Sequence, residues 1–444
     1  MAYAIDLFCG AGGMSEGVLQ AGFHILFSSD INENVEMTYV NRHEQLGYIH
    51  GKNTFFRRGD VRELNGNYIM ECIKELSMFK ETNEKVPDRI DAVFGGPPCQ
   101  GFSRAGKRDP NDPRNMLFRE YLRIIGELNP RYVVMENVEG FNDTRLTILE
   151  GMYGAPYDNT LVSEILTKEL EHMNYNVLKP RVLDASDYGV PQSRKRAIFI
   201  AYKDGEVEPK YPEPIVDIKD RITVREAIGD LIRDKKIKDK ENPITTKYQR
   251  ESNKGRTPCF NGTMLPSVKN LENMELSNHS KIVEKRFSLH NEGETTVALK
   301  NRIISEGIDL TNKDACIELL VKKLNVTSEY IINVFKSGKV TDEMLEILLT
   351  KKSMRKKLSA NLPSLTVVTL PDDYISPFEN RTFSVREMAR LQSFDDSFVF
   401  LGPRTTGGER RKIEVPQYTQ VGNAVPPLLA RAIAEQIINA INNR

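Results

Sequence analysis

Residues 6–17 read DLFCGAGGMSEG, and the fold turns on what that stretch does. The apolar run YAIDLF (3–8) has the length of a buried strand, and a helical pattern starts near Met14. Gly10, Gly12 and Gly13 therefore fall in a turn between strand and helix. Such a turn lets a ligand approach bare backbone and sets helix N–H groups beneath it. The next apolar run, HILFSSD (24–30), ends at Asp30, where a carboxylate can accept both hydroxyls of a ribose. The pair points to an adenosine-type cofactor without saying which one. A dehydrogenase carries a similar turn, although the GxGxxG order is absent here. Asp60, in Gly59-Asp60 after a further apparent loop, either faces an adenine amino group or simply caps a helix.

Outward from that stretch, short apolar runs alternate with longer helical patterns as far as about residue 205. The runs DAVFGG (91–96), RYVVMENV (131–138) and RAIFIAY (196–202) read as strands. Leu117–Leu128 and a segment within about 160–173 read as helices. Alternation of this kind predicts an α/β fold, a mostly parallel sheet with helices on both faces. DGEVEPKYPEP (204–214) breaks the rhythm and marks a domain boundary. Beyond it polar loops lead to a helical block over about 296–358. Within that block, LLVKKLNVTSEYIINVFKSGK (319–339) has the spacing of a helix-turn-helix, with its turn at Asn325 and with Ile331 and Val334 pointing inward. It either touches DNA or merely packs. A Rossmann-like rhythm resumes at ENRTFSVREMARLQSF (379–394), and QVGNAVPPLLARAIAEQIINAI (420–441) ends in an amphipathic helix.

At 444 residues with 39% hydrophobic content the chain can build two or three cored domains. Its formal net charge of zero announces no polyanionic partner, so only local basic clusters (179–196, 231–240, 351–357) could face phosphates. Cys9, Cys72, Cys99, Cys259 and Cys316 are dispersed and form no CxxC pair. That argues against a disulfide framework and a structural zinc site, and no metal is expected. No leader peptide or membrane-length apolar run is read, so the expected setting is a reducing cytoplasm.

Cys99 is the cysteine with unusual surroundings. GGPPCQGFS (95–103) follows the apolar run IDAVF (90–94), which places Cys99 on the loop leaving a strand's carboxyl end, where open α/β sheets bind ligands. Taken alone it is either inert packing or a nucleophile. Glu136 ends the following strand, so thiol and carboxyl could face one small ring, and Gln192, Arg194 and Arg196 head another strand that could supply fixed cations.

In this order the motifs resemble those of the DNA (cytosine-5)-methyltransferases, specifically the single-chain bacterial enzymes of restriction and modification. The motifs are DLFCGAGG, SSD, GD, GGPPCQGFS, MENV, QSRKR, RTFSVREMARLQSF and QVGNAVPP. The resemblance covers roughly 3–203 and 379–441. It implies a Rossmann-like S-adenosylmethionine-dependent methyltransferase fold with a second, smaller target-recognition domain. The catalytic domain would take 1–205 and return at 381–444, with target recognition and its helical insert at 206–380. It also implies that Cys99 adds to C6 of a flipped-out cytosine, that Glu136 serves N3, and that Arg196 with Arg194 holds O2 and steadies the carboxyl. The cofactor would be lined by Phe8, Gly10, Gly12, Asp30, Ile31, Asp60, Val61, Pro98, Leu117, Asn423 and Val425. This chain has Asp30 and Ile31 where relatives often carry Glu and an aromatic residue. Because Asn423 lies near the C-terminus, the last helix must fold back beside the first strand. Residues 103–117 would form a loop closing over double-stranded DNA, with Gln100, Ser103, Arg104 and Arg114 touching it.

A monomer is the default expectation, since a single chain can turn over an asymmetric or palindromic site one strand at a time. The resemblance implies a bacterial cytoplasmic, nucleoid-associated setting, with any cognate restriction endonuclease acting separately. A tRNA cytosine-5 methyltransferase and a catalytically silent DNA-binding regulator are the alternatives. Gly101 and the long middle region speak against the first, and the presence of Cys99, Glu136 and Arg196 against the second.

Overall fold

The computed structural model describes residues 1–82, 84–98, 116–146, 149–154, 156–350, 352–406, 410 and 414–443. Cys99, Gln100, Ser103, Arg104 and Arg114 lie outside the described residues, as does most of the expected DNA-closing loop.

One sheet organises the N-terminal half: β1 (Ala2–Leu7), β2 (Phe23–Asp30), β3 (Phe55–Arg58), β4 (Ala92–Gly95), β5 (Tyr132–Val138), β6 (Tyr175–Val177), β7 (Arg181–Asp184) and β8 (Lys195–Lys203). Its order is β6-β8-β5-β4-β1-β2-β3, with β7 also paired to β8. Strands β3, β2, β1, β4 and β5 run parallel. β8 is antiparallel to β5, and β6 and β7 are antiparallel to β8. The parallel strands are apolar almost throughout, as strands covered on both faces must be. Ala4, Ile5, Leu7, Ile25, Leu26, Phe27, Val93 and Val134 are all buried.

Helices α1 (Gly13–Gln20), α2 (Glu33–Gln45), α3 (Gly66–Lys74), α4 (Leu117–Leu128) and α5 (Val162–His172) cover the sheet. In α4 the buried side chains are Phe118, Tyr121, Leu122, Ile124, Ile125 and Leu128, a helical stripe that turns the polar face outward. Asn129 ends the helix in the left-handed region at φ 48°, a conformation asparagine tolerates better than most residues. The strand order reverses between β1 and β4, which makes the carboxyl ends of those two strands the crevice where such sheets hold ligands.

The proline-rich stretch after β8 is not a free linker. Tyr211 is buried on the sheet, and its hydroxyl donates to Ile198 O at 2.9 Å. Farther along, α6 (Lys281–Phe287), α7 (Thr296–Glu306), α8 (Asp314–Leu324), α9 (Ser328–Lys336) and α10 (Asp342–Leu348) enclose a hydrophobic core of their own. It contains Leu299, Ile303, Cys316, Leu320, Ile331, Phe335, Leu345 and Leu348. Helices α8 and α9 meet at Asn325, where the sequence pattern predicts a turn, and Asn325 takes the left-handed conformation at φ 54°. On α9, Ile331 is fully buried in this core and Val334 packs against it partly buried, while Phe335 is a further fully buried member.

The 379–394 stretch adds no strand. It forms α11 (Val385–Leu391), opened by a capping box between Ser384 and Glu387. With α12 (Gln417–Asn423) it shares a core with Val224, Ile228, Tyr248, Leu358 and Val367. Segments from both sides of the helical insert thus build one hydrophobic layer. The last helix, α13 (Pro427–Asn442), returns to the sheet against α1. Two glycines permit that approach. A Cβ on Gly13 would lie 2.3 Å from Val425 O, and one on Gly17 would lie 2.4 Å from Arg431 N. Glycine inside a helix costs about 1 kcal/mol relative to alanine, so α1 gives up intrinsic helix stability for close packing.

Candidate active site

Register alone brings three loops together. Leu7 pairs with Gly95, and Gly95 with Met135, so the glycine turn after β1, residues 96–98 after β4 and Glu136 on β5 sit side by side at the carboxyl ends of adjacent strands. A Cβ on Gly96 would lie 3.2 Å from Glu136 Oε2, a tight contact that would press on the carboxyl. Asn137, the next residue on β5, donates through Nδ2 to Pro97 O at 3.2 Å. That amide fixes the backbone two residues before Cys99, and sequence reasoning missed it. Only its place beside Glu136 in MENV offered a signal.

Arg196, on antiparallel β8, completes the cluster with Nε 2.6 Å from Glu136 Oε1. Both side chains are about nine-tenths buried, at 12% and 11% exposure, so water screens the pair weakly. Arg194 departs from expectation. Its Nη1 and Nη2 donate to Val367 O and Gly422 O at 3.2 and 3.0 Å, which joins the loop before β8 to α12 and to the 360–370 segment. It makes no ion pair with Glu136, and among the described residues its Nε has no partner. Gln192 is likewise a strut: its Oε1 accepts from Val367 N at 2.6 Å and its Nε2 donates to Gln392 Oε1 at 2.7 Å.

The floor of the glycine turn is polar and buried. Asp30 Oδ2 accepts Gly10 N–H at 3.1 Å and Oδ1 accepts Asn32 N–H at 3.0 Å. Burial pushes the Asp30 carboxyl above its ordinary range, and those N–H groups pull it partway back. Below, Ser15 Oγ donates to Asp6 Oδ2 at 2.5 Å and lies 2.9 Å from the Tyr39 hydroxyl, which is 2.5 Å from Ser28 Oγ. The Tyr39 ring supports Gly12, whose Cβ would lie 3.2 Å from it. Above the turn there is space among the described residues, since a Cβ on Gly10 would meet none of them within 4 Å. Ile31 stands beside Asp30 at 66% exposure. A glycine turn with open space above it, a carboxylate at the next strand end and an exposed apolar side chain fit an adenosine-bearing cofactor.

The remaining candidates lie around this floor. Phe8 is half-buried and left-handed at φ 58°. Asp60 caps the turn Val61–Glu63, accepts Arg62 N–H at 3.0 Å and pairs with the Arg62 guanidinium, so the capping role is the one occupied here. Val61 is buried, and Arg123 of α4 donates to its carbonyl at 3.2 Å, which ties the helix headed by Leu117 to this loop. Pro98 is half-buried. Asn423 is exposed at the end of α12, whereas Val425 is buried against Gly13. Cys9 is no rival nucleophile: burial and the nearby Asp6 and Asp30 carboxylates push its thiol well above the ordinary value.

Comparison with known proteins agrees with this geometry. Residues 3–439 match the family described as C-5 cytosine-specific DNA methylase, a span that includes the middle region. The type II methyltransferase M.DdeI of Desulfomicrobium norvegicum is 30% identical over 99% of this chain and 90% of its own length. M1.HphI of Haemophilus parahaemolyticus is 31% identical over 99% of this chain and 87% of its own. A prophage-encoded Escherichia coli protein, solved as a candidate DNA modification methyltransferase, superposes over the whole of both chains. Its TM-score is 0.60 at 22% identity, a likeness of fold alone.

Proposed function

The chain belongs to the C-5 cytosine-specific DNA methylases, and from that premise we propose that it methylates a flipped-out cytosine through a covalent bond from Cys99 to C6. The observation that carries this reading is the Arg196–Glu136 pair at 2.6 Å beside the backbone leading to Cys99. The methyl donor is S-adenosylmethionine, which supplies an electrophilic methyl on a sulfonium. Gly10, Gly12, Asp30 and Ile31 would hold its adenosine half.

Carbon 5 of cytosine is a poor nucleophile until the ring's aromatic character is broken. Addition of the Cys99 thiolate forms the S–C6 bond and moves an electron pair into the ring. Glu136 hydrogen-bonds or protonates N3 and absorbs that charge, while Arg196 orients the carboxyl. Carbon 5 is now an enamine carbon and takes the methyl. Loss of the C5 proton to a base then breaks the S–C6 bond, releasing 5-methylcytosine and free Cys99. The base is out of reach inside a duplex, so it must leave the stack first. Residues 206–380 are assigned target recognition and 381–444 the return to the catalytic domain. By likeness to its relatives, the enzyme serves a restriction-modification system.

Incubation with radiolabelled methyl donor and either plasmid DNA or tRNA tests the substrate. Label in DNA is expected, and label in tRNA alone would overturn the reading. Bisulfite sequencing of that DNA reads out the target sequence. A duplex carrying 5-fluorocytosine at the target should trap a covalent complex, because the final elimination needs a C5 proton. Trapping by Cys99→Ala would remove Cys99 from its assigned role.

A further inference from the structure

The middle region, assigned to target recognition, reaches the glycine turn from behind. Ala11, inside that turn, shares one hydrophobic core with Val224, Ile228 and Tyr248. From the same region Thr257 donates its hydroxyl to Glu16 Oε2 on α1 and accepts from Gln20 Nε2 at 2.9 Å. Glu16 and Gln20 lie four residues apart on one helix face, so a single hydroxyl bridges them. The Glu16 N–H in turn donates to Gly12 O at 2.9 Å, the bond that opens α1 at the end of the glycine turn. Thr257 is therefore linked through one side chain to the backbone of Gly12.

The bridge stands inside a closed circuit of buried charge. Arg42 of α2 clasps Glu16 with Nε and Nη2 at 2.8 and 2.9 Å, and its Nη1 donates to Ser397 Oγ at 3.1 Å. Arg256, next to Thr257, donates through Nη1 to Asp395 Oδ1 at 2.6 Å, and Asp396 N donates to Ser252 O at 2.9 Å. Residues 395–397 thus hold both the segment that carries Thr257 and the arginine that holds Glu16. Glu16, Arg42, Thr257 and Asp395 are each at most 2% exposed. Buried ion pairs are a poor source of stability, because desolvation offsets their attraction and apolar side chains could fill the same space. What they add is one geometry, since a guanidinium and a carboxylate meet bidentately in a fixed plane. Here the element so fixed is α1. Rotating that helix would also carry Gly13 and Gly17 away from α13, which they must admit closely.

We propose that Thr257 is a positioning residue for the cofactor rather than a reader of DNA. By bridging Glu16 and Gln20 it sets the rotation of α1, and with it the placement of the Gly10–Gly12 turn that receives S-adenosylmethionine. The proposal rests on the reading of that turn as the cofactor site and goes beyond it by giving the middle region a part in cofactor binding.

The test uses the full chain as wild type, as Thr257→Val, which keeps the side-chain shape and loses the hydroxyl, and as Thr257→Ser, which keeps the hydroxyl. Thr257→Val should raise the Kd for S-adenosylmethionine in equilibrium dialysis, and its KM in methyl transfer, by about 5- to 20-fold, since a hydrogen bond to a buried carboxylate is lost. With the cofactor saturating, kcat should fall by about twofold or less, and the KM for DNA should stay within about twofold. Thr257→Ser should bring the cofactor Kd back to within about twofold of wild type. Gln20→Leu, which removes the other anchor, should shift that Kd in the same direction by about threefold. A Thr257→Val protein with unchanged cofactor affinity, or one whose loss falls on DNA affinity, would overturn the proposal. So would equal losses of both with a lower melting temperature, the mark of a purely structural role. A wild-type protein that binds no S-adenosylmethionine overturns the cofactor reading and this proposal with it, whereas wild-type binding with insensitive variants overturns this proposal alone.

Discussion

Arg196 and Glu136 face each other across antiparallel strands with Nε 2.6 Å from Oε1. The register explains the meeting: Ile198 opposes Glu136 and Arg196 opposes Val138, so the guanidinium reaches diagonally to the carboxyl two residues back on β5. Had β8 run parallel, Arg196 would start the strand at the far edge of the sheet from this crevice.

Removing either partner should therefore harm chemistry more than cofactor affinity. Glu136→Gln keeps the shape and loses the proton. Arg196→Ala leaves a carboxylate about nine-tenths buried without its ion-pair partner. Each should lower methyl transfer about 10²- to 10⁴-fold, while calorimetric binding of S-adenosylmethionine stays within about threefold. Arg194→Ala should behave differently, since its bonds go to Val367 O and Gly422 O. It should lower the melting temperature as well as activity.

Asp6 supplies a pH signature for the cofactor floor. Burial pushes its carboxyl from 3.8 to about 7, against the pull of the Ser15 hydrogen bond. Between those values the folded protein keeps a proton that the unfolded chain has lost. Asp6's contribution to stability is therefore largest below about pH 4 and declines as pH rises to about 7. The slope is at most about 1.4 kcal/mol per pH unit. Asp6→Asn removes the dependence. Melting curves at pH 5, 6, 7 and 8 should show wild type losing ground to the variant up to about pH 7 and none beyond, and parallel curves would refute it.

Much of this site was legible in the sequence because local patterns and strand ends carried it. The glycine turn, Asp30, Glu136 and Arg196 each close or open an apolar run, and α4 spans the residues its periodicity predicts. The missed elements were those whose apolar signal is weak. β3 reads FFRR, and β7 lies within a basic stretch that reads as a cluster able to face phosphates. Nothing local in VREMARLQ could show that α11 packs with residues 224–248 rather than on the sheet, because that core is assembled from segments far apart in the chain. The fates of Arg194 and Gln192 were hidden for the same reason. Their partners lie about 170 to 230 residues away, and a buried strut and a catalytic cation look alike in sequence.

The helical insert should unfold on its own. Its core residues all fall within 289–348, and Phe335 is fully buried among them. Phe335→Ala should cost about 3–5 kcal/mol locally, enough to open a unit of this size. Hydrogen exchange should then rise across α7 to α10 while β1, β4 and β5 keep their protection. Equal deprotection of the sheet would show that the insert and the catalytic core fold as one unit.

Two glycines of the same turn and helix should separate stability from cofactor binding. At Gly17 an added methyl would meet Arg431 N at 2.4 Å and Ala430 Cβ at 2.5 Å, and backbone cannot move aside as a flexible side chain can. The intrinsic gain of about 1 kcal/mol from alanine in a helix is outweighed by overpacking that costs about 1–3 kcal/mol or more. Gly17→Ala should therefore lower the melting temperature by several degrees and weaken cofactor binding only as far as α13 shifts. At Gly10 the added methyl meets none of the described residues, so the clash seen at Gly17 is absent among them. Its φ of +53° costs alanine about 1–2 kcal/mol, and the methyl enters the space the cofactor needs. Gly10→Ala should melt within a few degrees of wild type yet lose S-adenosylmethionine affinity by about tenfold or more. Melting curves and equilibrium dialysis on both variants decide the matter. If Gly10→Ala binds as tightly as wild type, the space above the turn does not hold the cofactor.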